Sequence, residues 1–145
     1  MFNTILVPTD GSSLSDKAVQ AAVEFAKMTG GKIVSISVAE PYPYMSLAEG
    51  TVAPDLDLFE KRMEKIAEMN VQKVADAAAA ANVPCKAYTA ASFSPYQAII
   101  DAAMENHCDV IFMASHGRKG LNKLFVGSET QKVLAHSTIP VMVFR

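Results

Sequence analysis

Cysteine is scarce, with two in 145 residues, Cys85 and Cys108. They stand far apart, form no C-x-x-C pair and each borders an apolar stretch. That excludes a disulfide framework and reads as two reduced, partly buried thiols of a cytosolic protein. No apolar run approaches the roughly 20 residues that cross a bilayer. The start, Met1-Phe2-Asn3-Thr4-Ile5-Leu6-Val7-Pro8, lacks the basic segment and small-residue cleavage site of a signal peptide. Charged residues make up only 19% and the formal net charge is −2, a balance that argues against a general nucleic-acid binder. Of the 3 histidines, no two share metal-ligand spacing. The expectation is a soluble cytoplasmic protein without a membrane or nucleic-acid partner. Hydrophobic residues reach 50%, too many for a disordered chain. The length suits a single domain over residues 1–145, hiding on the order of 70% of the unfolded surface.

Periodicity alternates along the whole chain. Thr4 to Thr9 is a short apolar run, as expected of a strand buried on both faces. Ser13 to Thr29 puts Leu14, Ala18, Ala21, Ala22, Phe25 and Ala26 at helical spacing, with Ser13 and Asp16 as a weak capping signal and Gly30-Gly31 as the stop. Lys32 to Val38 is a second strand. Ala39 to Pro54, with three prolines, is expected to be a long loop serving as a lid or contact surface. A long helix runs from Asp55 to about Asn82, with Leu56, Phe59, Met63, Ile66, Val74 and Ala77 on one face and Met63 and Met69 as core filler. Cys85 to Ala90 is a third strand. Ser94 and Gln97 predict a capping box, with Pro95 at the first helical position and Ile99, Ile100, Ala103 and Met104 on the buried side. Val110 to Ala114 is a fourth strand. Ser128 and Gln131 predict another capping box, and Val141 to Phe144 is a last strand. The pattern predicts an α/β fold, a single open, mostly parallel five-stranded sheet with helices on both faces.

In such sheets ligands bind beyond the carboxyl ends of the strands, where strand order reverses. Two segments qualify. In the first, Val7 to Ser12, Asp10 can hold a ribose hydroxyl or a metal ion, and Thr9 can offer its hydroxyl and backbone; the same residues also make an ordinary strand-to-helix turn. In the second, Ala114 to Thr130, Gly117 follows a strand and Gly127-Ser128 opens a helix, so backbone can approach an anion closely. The Ser128 and Thr130 hydroxyls can add donors, and Arg118, Lys119 and Lys123 positive charge; a solvated loop with ordinary capping is the alternative. There is no G-x-x-x-x-G-K-[ST], which excludes a Walker-type NTPase, and no G-x-G-x-x-G in the first turn. Gly117-x-x-Gly120 matches the RNA-clamping KH loop only superficially, because alternating strands fit that fold poorly.

Ile5-Leu6-Val7-Pro8-Thr9-Asp10-Gly11-Ser12, Ser115-His116-Gly117-Arg118-Lys119-Gly120 through Gly127-Ser128, and the final Ile139-Pro140-Val141-Met142-Val143 together resemble the universal stress protein family over essentially the whole chain. Members of that family that bind ATP carry G-x2-G-x9-G-[ST]; here Gly117, Gly127 and Ser128 match, and Ala114 stands in place of the first glycine. The resemblance implies an adenine nucleotide, ATP or AMP, with Mg2+ as a possible companion. Pro8, Thr9 and Asp10 would border the adenosine, and Val38 would meet the adenine through its backbone. Met113 and Ala114 would lie beside the sugar, and Gly117, Gly127, Ser128, Glu129 and Thr130 would line the phosphates, with His116 and Arg118 adjoining them. Phe93-Ser94-Pro95 lacks the glycine that many members have before this proline, which alters the rim of the pocket.

His116 beside a phosphate can serve as donor or acid, or simply as a loop-packing residue. His107 and His136 sit near helix ends, where they balance the dipole. The last strand leaves an apolar edge, and the resemblance implies a homodimer through Val141 to Phe144; an edge covered by the 39–54 loop is the alternative. Three functions are in play: a dimeric, nucleotide-dependent regulator or sensor in the stress response; a slow ATPase or phosphotransferase using Asp10 and His116; and a nucleotide-free dimeric interaction module. No positioned general base is visible, which favours binding over turnover.

Overall fold

The computed structural model describes residues 2–42, 55–117 and 126–145. Its elements are β1 (Thr4–Pro8), α1 (Ser13–Thr29), β2 (Lys32–Ala39), α2 (Leu56–Ala80), β3 (Cys85–Ala91), α3 (Pro95–Glu105), β4 (Val110–Ala114), α4 (Ser128–His136) and β5 (Val141–Phe144). The five strands form one sheet in the order β3-β2-β1-β4-β5, and every pairing is parallel. The predicted fold class is therefore present, with a wholly parallel sheet. Most of the 39–54 loop, the basic residues Arg118, Lys119 and Lys123, and Gly120 lie outside the described residues.

Alternation along the strands builds two cores. Ile5 and Val7 of β1 join Val110 and Phe112 of β4 beneath Val19, Ala22, Val23 and Ala26 of α1 and Val74 and Ala78 of α2. On the other face Leu6, Val34, Ile36, Ile111 and Met113 meet Ile99, Ala102 and Ala103 of α3 and Val133 of α4. Strands buried on both sides must be apolar at successive positions, hence the unbroken runs. Phe112 carries much of the first core: its ring lies 5.7 Å from Phe25 and 5.4 Å from Phe144, joining α1, β4 and β5. Truncating such a side chain to alanine costs about 3–5 kcal/mol.

The helix details depart from the sequence expectations. The N-cap of α1 is Ser12, whose hydroxyl accepts the Ser15 N–H, rather than Ser13. Ser94 does precede α3 but makes no side-chain cap, and Gln97 turns along the helix to Asp101. The N-cap of α4 is Gly127, which puts Ser128 inside the helix, so the Ser128–Gln131 box does not form; Gln131 donates to the Val126 carbonyl instead. On α2 the buried residues are Ala67, Asn70, Val71, Val74 and Ala78, while Ala77, Leu56, Ile66 and Met69 are exposed. Alanines let that helix lie close to the sheet, so side-chain size misleads about its inner face. Met104 of α3 is likewise exposed, its place in the core taken by Ala102.

Candidate functional site

A gap opens where two neighbouring parallel strands stop pairing. β1 matches β2 from Thr4 through Pro8, but it matches β4 only at Ile5–Val110 and Leu6–Ile111. This is also where the strand order reverses, because β1 leads outward to β2 and β4 leads the opposite way to β5. Pro8 fits the divergence. The Thr9 N–H bonds the Ile36 carbonyl of β2 at 2.9 Å, so by alternation the Pro8 nitrogen faces the β4 side, where no ladder remains to need a donor. At the opposite end of the same strand pair, Asp109 Oδ2 accepts the Asn3 and Thr4 N–H groups at 2.7 and 2.8 Å. Those two backbone donors, Thr4 foremost, hold the Asp109 carboxyl below its ordinary range.

The turn after β1 is built from short polar side chains. Asp10 Oδ1 accepts the Ser12 N–H at 3.0 Å. The Thr9 hydroxyl, buried, accepts the Gly11 N–H at 3.1 Å and meets Ser15 Oγ at 3.1 Å. Ser15 was not singled out from sequence; its serine three residues after Ser12 was the available signal. It is 2% exposed and also donates to the Ser12 carbonyl at 2.8 Å.

Across the gap, β4 ends in Ala114 and is followed by the buried Ser115. The Ser115 N–H bonds the Phe144 carbonyl at 2.7 Å, its carbonyl accepts the Gly127 N–H at 2.6 Å, and its hydroxyl lies 3.0 Å from His116 Nδ1. Thr130, 3% exposed, donates to the Ala114 carbonyl at 3.0 Å. Two glycines sit where a side chain would crowd its neighbours. A Cβ on Gly117 would lie 2.5 Å from Asp10 Oδ2, and one on Gly127 would lie 3.1 Å from the Cα and Cβ of His116. The end of β1, the end of β4 and the start of α4 therefore meet at one point. No side chain caps α4, and the first N–H groups of a helix lack intrahelical acceptors, which makes this end suited to an anion.

A profile of the universal stress protein family matches residues 1–145. The chain belongs to that family. Among relatives, the universal stress protein YxiE of Bacillus subtilis is 33% identical over 153 residues, with both chains covered in full. A universal stress protein of Thermus aquaticus, named for its place in the QAH/OAS sulfhydrylase 3' region, is 31% identical over 145 residues, again over both full lengths. Among solved structures, the protein MJ0577 superposes with a TM-score of 0.81 at 22% identity, covering 99% of this chain and 96% of that one. A universal stress protein in complex with cAMP gives 0.72 at 22% identity, covering 99% and 97%. One from Archaeoglobus fulgidus in complex with dAMP gives 0.67 at 16%, covering 100% and 98%. At these identities the likeness is one of fold.

In this universal stress protein Pro8, Thr9, Asp10, Ala114, His116, Gly117, Gly127, Ser128 and Thr130 all gather at the divergence. Val38 lies at the same end of β2, paired with Ala90 and half-buried. Met113 is buried in the core beneath. Arg118 lies outside the described residues. The Glu129 carboxylate turns away to α3: Oε2 accepts the Tyr96 N–H at 2.9 Å, and Oε1 meets Lys132 at 2.8 Å. That hydrogen bond, and then the charge of Glu129, raise the Lys132 pKa. Among the described residues no three His, Cys, Asp or Glu side chains group as metal ligands, and no helix is long and apolar enough to cross a membrane.

Proposed function

We propose that this universal stress protein binds an adenine nucleotide, ATP or AMP, in the gap between β1 and β4 and acts as a nucleotide-dependent regulator or sensor in the stress response. The observation that carries this reading is the pair of glycines: Gly117 packed on Asp10 and Gly127 packed on His116 bring bare backbone to one point at the reversal of strand order. Bare backbone beside an uncapped helix start is what a phosphate requires. Pro8, Thr9 and Asp10 border the adenosine, Val38 meets the base through its backbone, and the sugar lies near Met113 and Ala114. The phosphates lie along Gly117, Gly127, Ser128 and Thr130, with His116 adjoining.

Among the described residues no metal cage forms, so Mg2+ fits as a companion of the phosphates, beside Asp10. Relatives of the same fold in complex with cAMP and dAMP agree with an adenylate guest. β5 lies at the sheet edge with Met142 exposed, and in this reading it pairs with its copy in a homodimer.

The test is to denature the purified protein, identify any released nucleotide by mass spectrometry, and titrate the emptied protein with ATP and AMP by calorimetry. Saturable one-to-one binding per chain is expected. A folded dimer that carries and binds neither nucleotide would replace this reading with that of a nucleotide-free interaction module.

A further inference from the structure

We infer that Glu129 is a positioning residue that locks the first turn of α4 to the start of α3. This rests on the proposed nucleotide site and assigns a separate role to a residue one position beyond Ser128. Tyr96 is the second residue of α3, so its N–H belongs to the donors that a helix start leaves without an internal acceptor. Ser94, at the N-cap, makes no side-chain bond to that turn. The Glu129 carboxylate supplies the missing acceptor from 33 positions along the chain, at 2.9 Å. A carboxylate is also the group that the positive end of a helix favours.

Three further contacts define the geometry. Lys132 holds the other carboxylate oxygen at 2.8 Å, and its ammonium also lies 5.5 Å from the Tyr96 ring centre. The Tyr96 ring is 5.3 Å from that of His136 at the far end of α4. On the opposite side of the same turn, Thr130 bonds the Ala114 carbonyl at 3.0 Å. The first turn of α4 is thus tied to β4 by Thr130 and to α3 by Glu129. The tie to α3 also engages the one negative charge in that turn with α3 and Lys132, leaving the backbone donors of Ser128 and its neighbours to a phosphate.

The experiment compares the full chain with Glu129→Ala and Glu129→Gln, reading amide hydrogen exchange without nucleotide and calorimetric titration with ATP. In Glu129→Ala the Tyr96 amide exchanges about tenfold faster and ATP binds about tenfold more weakly, the scale of one hydrogen bond to a charged group. Glu129→Gln keeps a carbonyl acceptor and recovers to within about threefold of the parent, neutral bonds being the weaker kind. Unchanged exchange at Tyr96 in Glu129→Ala overturns the lock. So does a glutamine variant as impaired as the alanine one, while faster exchange with undiminished ATP affinity overturns the role of that lock in positioning the nucleotide site. Failure of the parent protein to bind ATP or AMP removes the nucleotide reading instead, and the exchange arm then decides the coupling of α4 to α3 by itself.

Discussion

Gly117 offers the sharpest test of how the site is put together. Alanine there sets a methyl group 2.5 Å from Asp10 Oδ2, about 1 Å inside ordinary contact. The carboxylate is not free to swing, because its other oxygen holds the Ser12 N–H at 3.0 Å where α1 begins. Rotating it out of the way loosens a hydrogen bond to a charged acceptor, worth about 1–2 kcal/mol at a half-exposed position. Urea unfolding of Gly117→Ala should therefore show a loss of that size. In an Asp10→Ala background the same change should cost only about 0.3 kcal/mol, since the group it strikes is gone. ATP affinity should fall by about ten- to a hundredfold, or 1.4–2.8 kcal/mol, as the Asp10 carboxylate that the methyl displaces no longer borders the adenosine. Gly30→Ala is the control. Gly30 ends α1 with φ 67° and has nothing within 4 Å of a built Cβ, so alanine costs about 1–2 kcal/mol of backbone strain and leaves affinity alone. A Gly117→Ala protein that binds as the parent does, and is equally destabilised with or without Asp10, refutes the reasoning.

Thr130→Val removes the part-buried bond to the Ala114 carbonyl; denaturant titration should register a loss of about 0.5–1.5 kcal/mol. Asp109 gives a pH signature. Its folded pKa is lowered by the Thr4 and Asn3 N–H groups, so its contribution is fully present above the unfolded value of about 4 and disappears as pH falls through the lower folded value. Thermal unfolding should show the parent's advantage over Asp109→Asn shrinking across that acid range, whereas a constant difference from pH 7 to pH 2 would contradict the assignment. Cys108 is buried, and desolvation raises its thiol to about 11. With so little thiolate, alkylation at neutral pH should run about a hundredfold slower than in the urea-unfolded chain, as followed by mass spectrometry.

Much of the architecture is legible in the residues because buried parallel strands leave a strong signature. Ile5-Leu6-Val7 and Val110-Ile111-Phe112-Met113 have to be apolar at every position, one face for α1 and α2 and the other for α3 and α4. Helix faces are harder to read. Ala67, Ala78 and Ala102 are inside while Ile66, Met69 and Met104 are out, because closeness to the sheet is won by small side chains that hydrophobicity ranks low. Caps are harder still: Ser13, Ser94 and Ser128 fit the spacing of a capping box, yet the cap of α1 is Ser12, and only the path of the preceding turn decides which hydroxyl reaches a helix N–H. The candidate site residues come from glycine spacing and family likeness, and the structure adds which of them meet at the ends of β1 and β4. The attachment of Glu129 to Tyr96 could not be read that way, since it depends on how α3 and α4 lie side by side.

The two-rung ladder between β1 and β4 has an evolutionary corollary. An opening produced by where main chains cease to pair, and clamped at its far end by Asp109, owes little to the identity of the side chains along its rim. The place where the strands part is therefore inherited with the strand register, and glycine at 117 and 127 is what keeps its rim bare.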